Sequence, residues 1–378
     1  MSEADLAIQP QRLRNLLRRL IDIYSPSGKE EEVVDYLYGY LKRHGLPVVR
    51  QEVDDGRDNL VVMPRHGDVH LALIGHLDTV TAYDLEDYGF DEDGDRVIGL
   101  GAADMKGGCA AMVEAFLTLW ETRAQRADNG QVALALVAGE EQDGDGAQRL
   151  VKEYHFPWAI IGEPTDLKPC LSHYGYLEMH VTTRGRRMHA SLANKGDNPI
   201  QAMLHLLLKI SNYLESCRPE AVYNIRELSS SQAGFVVPDR CEAWLDNHLP
   251  PTAPIGEIML EVEELLLRER QSNPQMDAAL RFATIHAGYE LPEKGPLVEA
   301  LRTLYGRHDL PWEPLPFRSH SDANLLWAAG VKPIIIGPGQ LEQAHAPGEN
   351  VSFQQVCLAA QLYHDVLIEV VGHPEKWV

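Results

Sequence analysis

The chain has 378 residues, 44% of them apolar, which is ample for a sizeable interior and longer than one core usually runs, so two domains are expected. A formal charge of −22 leaves no basic stripe to neutralise phosphates and excludes nucleic acid as a partner. With no 18-residue apolar stretch, no signal layout in Met1-Ser-Glu-Ala-Asp, and five scattered cysteines without a CxxC pair, the chain reads as a soluble cytoplasmic protein that contacts no membrane.

Residues 10–24 and 29–45 carry helical spacing, broken by the turn signal Ser25-Pro26-Ser27-Gly28. From 59 to 170 strand-like runs alternate with helical ones, the clearest helix being Lys106–Thr122, entered through Gly107-Gly108. Such alternation predicts an α/β layer architecture with a mixed, largely parallel sheet flanked by helices. Around residue 173 the pattern changes. Strands Leu177–Thr183, Tyr223–Ser229, Cys241–Leu249 and Ala279–His286, with helices Pro199–Ser216 and Ile255–Arg270, give the order β-α-β-β-α-β of a ferredoxin-like split unit. Its half-exposed alternation predicts a one-sided sheet inserted into the first domain. The helix Leu297–Tyr305, the strand Ile334–Gly337 and the helix Phe353–Val371 return to the α/β core. The expected domains are therefore 1–172 with 287–378, and 173–286.

Five polar residues, His76, Asp104, Glu141, Glu163 and His345, each sit just past an apolar run. His76 follows Leu71–Gly75, Asp104 follows Val97–Ala103, the pair Glu140-Glu141 follows Val132–Gly139, and Glu163 follows Trp158–Gly162. The fifth, His345, comes after Lys332–Gly337 and a Gly-Pro-Gly turn. Short apolar runs ending in Gly read as buried parallel strands, and such sheets gather ligand sites at their carboxyl ends. Each residue alone has an ordinary reading: Asp104 as a helix N-cap, Glu140-Glu141 as a solvated acidic loop, Glu163 as a turn residue, His345 on a surface loop. Together, two imidazoles and three carboxylates match the donors that zinc favours, and a bridging carboxylate allows two ions.

The ordered motifs HLDT, GAADMKGG, GEE, GEPTD and GPG…AHAP resemble the co-catalytic zinc amidohydrolases and exopeptidases, a family that includes acetylornithine deacetylase, acetyl-lysine deacetylase and succinyl-diaminopimelate desuccinylase. The resemblance covers nearly the whole chain. It implies a metal-dependent hydrolase of linear amide bonds with two Zn2+ per chain, for which Co2+ or Mn2+ can substitute. His76 and Glu163 would bind one ion, Glu141 and His345 the other, and Asp104 would bridge them. Asp78 matches the carboxylate that orients the first histidine. Glu140 matches the general base that activates a metal-bridging water and then protonates the leaving amine. The 173–286 insertion would be a lid and dimerisation domain, and His189 the lid histidine that stabilises the oxyanion in the partner's site of a homodimer.

Two lid positions depart from the family. Phe235 stands before Val236-Val237-Pro238 where many relatives carry Asn, and His248 stands where they often carry an Arg that grips a substrate carboxylate. A protonated His can donate to a carboxylate but lacks Arg's bidentate fork. Arg318, in FRSHSDAN, is the candidate replacement cation. Gly339, in the turn that leads to Gln343-Ala344-His345, would let the backbone approach a ligand. The Gly337-Pro338-Gly339 turn with Gln343-Ala344-His345 most resembles deacetylases of acetylated basic amino acids, which implies a small N-acyl amino acid as substrate, an N-acetylated basic one such as acetylornithine or acetyl-lysine first, with a role in amino-acid biosynthesis. Succinyl-diaminopimelate, a dipeptide or a carboxypeptidase substrate are the alternatives, and a binding protein without catalysis is a third class.

Overall fold

The computed structural model describes residues 7–64, 68–86, 88–123, 131–195, 198–231 and 234–377. The chain separates into two compact units: one of residues 1–171, 291–317 and 321–378, the other of 172–290 and 318–320. The second unit is thus wider than the expected 173–286 and takes in Arg318.

In the first unit the strands Leu71–His76, Val132–Val137, Trp158–Ile161 and Lys332–Ile335 run parallel to their neighbours, in the order Val132–Val137, Leu71–His76, Trp158–Ile161, Lys332–Ile335. The first three are buried at every position, as sequences apolar at every position but His76 require of strands covered on both faces. An antiparallel hairpin, Val48–Asp54 and Arg57–Val62, adds to the Val132–Val137 edge and makes the sheet mixed. Helices cover it. Pro10–Asp22 buries Leu13, Leu16, Leu17, Leu20 and Ile21, a single stripe of period 3.6, and Glu31–Arg43 does the same with Val33, Val34, Leu37 and Leu41. Gly107–Arg123 packs against Phe353–Gly372, and its apolar residues are buried almost all round.

One expected strand is absent from this sheet. Within Val97–Ala103 only Arg96–Ile98 is a strand, and it pairs with Asp91–Asp93 and Asn350–Ser352 in a separate three-stranded sheet. The rest turns, with Gly101 at φ +77°, a conformation that suits glycine and ends any strand. The run is apolar because it is buried, not because it is extended.

The second unit has the order β-α-β-β-α-β. Its antiparallel sheet runs Val222–Ser230, Arg240–Leu249, Gly175–Arg184, Asp277–His286. Helices Pro199–Cys217 and Ile255–Ser272 cover one face, where Leu177, Met179 and Val181 alternate into a core with Met203, Leu206, Ile210 and Val262. Glu178, His180 and Thr182 point the other way. Arg226 pairs with Glu178 and Asp246 there, and His180 with Glu242. No helix among the described residues is long and apolar enough to cross a membrane.

Candidate active site

Four loops of the first unit converge. His76 ends the Leu71–His76 strand, Glu140 and Glu141 follow Val132–Val137, and Glu163 follows Trp158–Ile161. Parallel neighbours in register deliver these side chains to one edge, since His76 lies opposite Val137 and Ile74 opposite both Ala135 and Ile161. Asp104 arrives from the turn after Gly101, and His345 from the loop before Asn350–Ser352.

Asp104 stands between the two histidines. One of its carboxylate oxygens is 3.2 Å from His76 Nε2 and the other 3.3 Å from His345 Nε2. Glu163 is 3.7 Å from His76 Nε2, Glu140 3.9 Å from it, and Glu141 3.0 Å from His345 Nε2. Among the described residues, three groups bring donor atoms within 4.8 Å of one another: His76 with Asp104 and Glu163, Asp104 with Glu141 and His345, and His76 with Glu140 and Glu141. Asp104 belongs to two of them. Glu163 Oε1 is buried and makes no hydrogen bond, with His76 Nε2 3.7 Å away, an expensive arrangement for a carboxylate oxygen. The donor set and this orphaned oxygen fit divalent metal ions.

The electrostatics agree. Burial alone would lower His76, yet Glu163, Asp104 and Asp78 outweigh it and hold it well above 6.5. Hydrogen bonds to Asp104 and Glu141 push His345 up to about 10. Asp104 resists its burial because both histidines donate to it, and its pKa lies far below the carboxylate range. Burial, reinforced by Asp104, raises Glu163 to about 8. Glu140 is raised strongly by burial beside Glu163, Glu141 and Asp322. Such crowding of carboxyls with raised proton affinity is the environment in which a general base acts near neutral pH.

Asp78 faces His76 and also holds the Glu140-Glu141 turn. His76 Nδ1 lies 3.0 Å from the Asp78 backbone carbonyl and 3.6 Å from its carboxylate. That carboxylate also accepts the backbone N–H of Glu140 at 3.1 Å, the backbone N–H of Glu141 at 3.0 Å and the Ser27 hydroxyl at 2.7 Å. Close packing tightens the Glu163 loop, because a Cβ on Gly337 would overlap the carbonyl oxygens of Gly162 and Glu163. Gly339, at φ +90°, donates its N–H to Gln355 and lies against Ala103.

The other sequence candidates belong to the second unit. His189 is exposed and within 2.8 Å of Ser191 Oγ. His248 is half-buried, its Nδ1 lacks a hydrogen-bond partner among the described residues, and burial lowers its pKa. The Arg318 side chain is exposed and free of hydrogen bonds and ion pairs among the described residues, and Phe235 is 90% exposed. Three buried polar residues around the cluster escaped the sequence reading: Asp322, which burial raises to about 7, Lys106, whose Nζ donates to the Ile23 carbonyl, and Glu349. Asp322 follows Ser321, which caps the Asp322–Ala328 helix, and a polar residue just past a cap was the available signal.

Sequence comparison with protein families matches residues 72–369 to the description "Peptidase family M20/M25/M40". The chain belongs to this family. It is accordingly a hydrolase of amide bonds of the metallopeptidase and deacetylase type. Among relatives, acetylornithine deacetylase of Edwardsiella ictaluri is 29% identical over 363 residues, covering 88% of this chain and 90% of its own. A probable succinyl-diaminopimelate desuccinylase of Staphylococcus epidermidis is 34% identical over 198 residues, 50% of this chain and 48% of its own. The crystal structure of a tripeptidase from Staphylococcus aureus superposes with a TM-score of 0.79 at 21% identity, covering 96% of this chain and 99% of that one, and has the same fold.

Proposed function

We propose that the chain removes the acyl group, in the first place acetyl, from an N-acyl amino acid such as acetylornithine or acetyl-lysine. The observation that carries the hydrolytic half of this reading is the placement of Glu140, a buried carboxyl of raised pKa beside two donor groups that share Asp104. The substrate half is supported by the relatives named acetylornithine deacetylase, which align along most of the chain. His76 and Glu163 would hold one divalent ion, Glu141 and His345 a second, with Asp104 between them. When bound, zinc or a substituting cobalt or manganese supplies Lewis acidity toward the amide carbonyl and the attacking water.

The chain's own residues then move the proton. Glu140 accepts it from water as the oxygen attacks the carbonyl carbon, and returns it to the amine nitrogen as the C–N bond breaks. Asp78 keeps Glu140 aimed through the backbone N–H it accepts. His248 and Arg318 are the proposed contacts for the substrate carboxylate. A cytoplasmic setting is part of this reading, and the five cysteines, none in a disulfide, accord with it.

The reading includes a homodimer formed through the second unit, with His189 donating to the oxyanion in the partner's site. The exposed edge strand Val222–Ser230, with Val222, Ile225 and Leu228 in the open, and the exposed Leu204 and Leu208 on the Pro199–Cys217 helix support it. Sedimentation of the active protein tests the dimer, and a monomer with full turnover overturns the role of His189 in trans.

The deciding experiment is a hydrolysis screen of acetylated, succinylated and peptide-linked amino acids with zinc, cobalt or manganese, run beside Glu140→Gln. Acetylated basic amino acids are expected to be turned over fastest. E140Q is expected to retain its metal and lose roughly 10²–10⁴ in turnover. Faster cleavage of peptides or succinyl compounds replaces the substrate, and wild-type rates in E140Q remove Glu140 as the base.

A further inference from the structure

Glu349 lies four residues past His345, in a stretch that reads as a solvated loop, yet it is 4% exposed. Its carboxylate accepts three backbone N–H groups, from Gly101, Ala103 and Asp104, each at 2.9 Å. Its backbone carbonyl accepts a fourth, from Gly99 at 3.0 Å, which continues the antiparallel pairing of Asn350–Ser352 with Arg96–Ile98. Gly101, at φ +77°, bends the chain so that the three N–H groups converge, the concave arrangement by which successive amides bind an anion. Here the anion is a side chain of the protein. Without it, buried N–H groups beside Asp104 would be left unpaired.

We infer that Glu349 is a positioning residue that couples the Asp104 turn to the His345 loop and so sets how the Asp104 carboxylate divides between His76 and His345. The two loops are remote in the sequence, with 245 residues between Glu349 and Asp104. One end of this strap carries the ligand shared by both proposed ions, and the other end carries His345, a ligand of the second ion only. Loosening it therefore acts on the second ion more than on the first. Glu349 touches neither substrate nor reacting atoms. The inference rests on the two-ion reading given above.

The substitution Glu349→Gln tests it. A glutamine keeps one acceptor oxygen but turns an NH₂ group toward an N–H donor, while its volume is nearly unchanged. Calorimetric titration of chelator-stripped protein with Zn2+ is expected to give two ions in the wild type. In E349Q the first ion should bind as before and the second roughly 10–100-fold more weakly, the range found when partners of metal ligands are lost. The turnover number should fall in parallel and recover in excess Zn2+, with KM unchanged. Glu349→Asp, which keeps the charge but withdraws it by one methylene, should weaken the second ion by an intermediate factor, and it carries the test if E349Q does not fold. A merely structural role would lower the melting temperature and leave both affinities alone. Two ions in the wild type with unchanged affinities in the folded variant overturn the proposal by itself. Fewer than two ions in the wild type overturn the metal reading beneath it.

Discussion

The Asp78 carboxylate accepts the backbone N–H of Glu140 at 3.1 Å, so the residue two positions past one proposed metal ligand fixes the backbone of the proposed base on a different loop. The same carboxylate takes the Glu141 N–H and the Ser27 hydroxyl, and against full burial the neighbouring His76 first, then these two donors, hold its pKa below the usual range. Asp78→Asn presents an amide NH₂ to one of those donors and frees the Glu140-Glu141 turn. The expected outcome is a fall in turnover of roughly 10–100-fold, the usual effect of losing such support, with metal content close to wild type. Steady-state kinetics beside metal analysis of the purified variant check it, and an equal loss of metal would move Asp78 into ligand support alone.

Much of this site is legible in the sequence because buried parallel strands leave an unmistakable trace. Leu71–Gly75 and Val132–Val137 are apolar throughout, so the first polar residue after each stands out, and the same holds for Glu163. Asp104 was legible as a ligand candidate but attached to the wrong element, because burial of a turn leaves the same apolar signature as burial of a strand. Glu349 was not legible at all. A glutamate after Pro-Gly looks solvated, and only folding brings the amides of residues 101–104 to it.

Gly337 marks a place where backbone must touch backbone. Any side chain there would overlap the Gly162 and Glu163 carbonyl oxygens, so the Glu163 loop must shift to admit even a methyl group. Gly337→Ala should destabilise the protein by more than about 2 kcal/mol, as overpacking against rigid backbone does. It should also lower the affinity of the ion that Glu163 would hold. Melting temperature and metal content together check this. A stable variant with normal metal content would mean that the strand after Lys332 yields more easily than its packing implies.

Metal uptake should release protons. In chelator-stripped protein at pH 7, Glu163 at about 8 and His345 at about 10 both carry a proton, and His76 is held well above 6.5. Ligands bind metal only after losing these protons, so saturation should release on the order of two to three per chain, and affinity should fall as pH falls. Calorimetry in buffers of different ionisation enthalpy measures the number directly. Zero release at pH 7 would contradict the assignment of these residues as ligands.

The second unit carries its own acid sensitivity. His173 is buried, and burial lowers its pKa from 6.5 to about 4, while its Nδ1 lies 2.6 Å from the Tyr174 carbonyl oxygen. Burial likewise lowers His248, His286 and His320, which gather about Tyr176, and His286 Nδ1 lies 2.6 Å from His320 Nε2. The folded pKa is depressed, so between pH 6.5 and 4 the unfolded chain binds protons that the folded chain does not. Stability present above pH 6.5 is therefore lost as pH falls through that window and levels off below it. For His173 alone the full loss is about 3 kcal/mol. Urea unfolding at pH 7 and at pH 4.5 should differ by less in His173→Asn than in the wild type, because the asparagine keeps a donor for the carbonyl and has no proton to gain. Equal differences in the two proteins would show that His173 titrates alike in both states and that the acid sensitivity lies with the other three histidines.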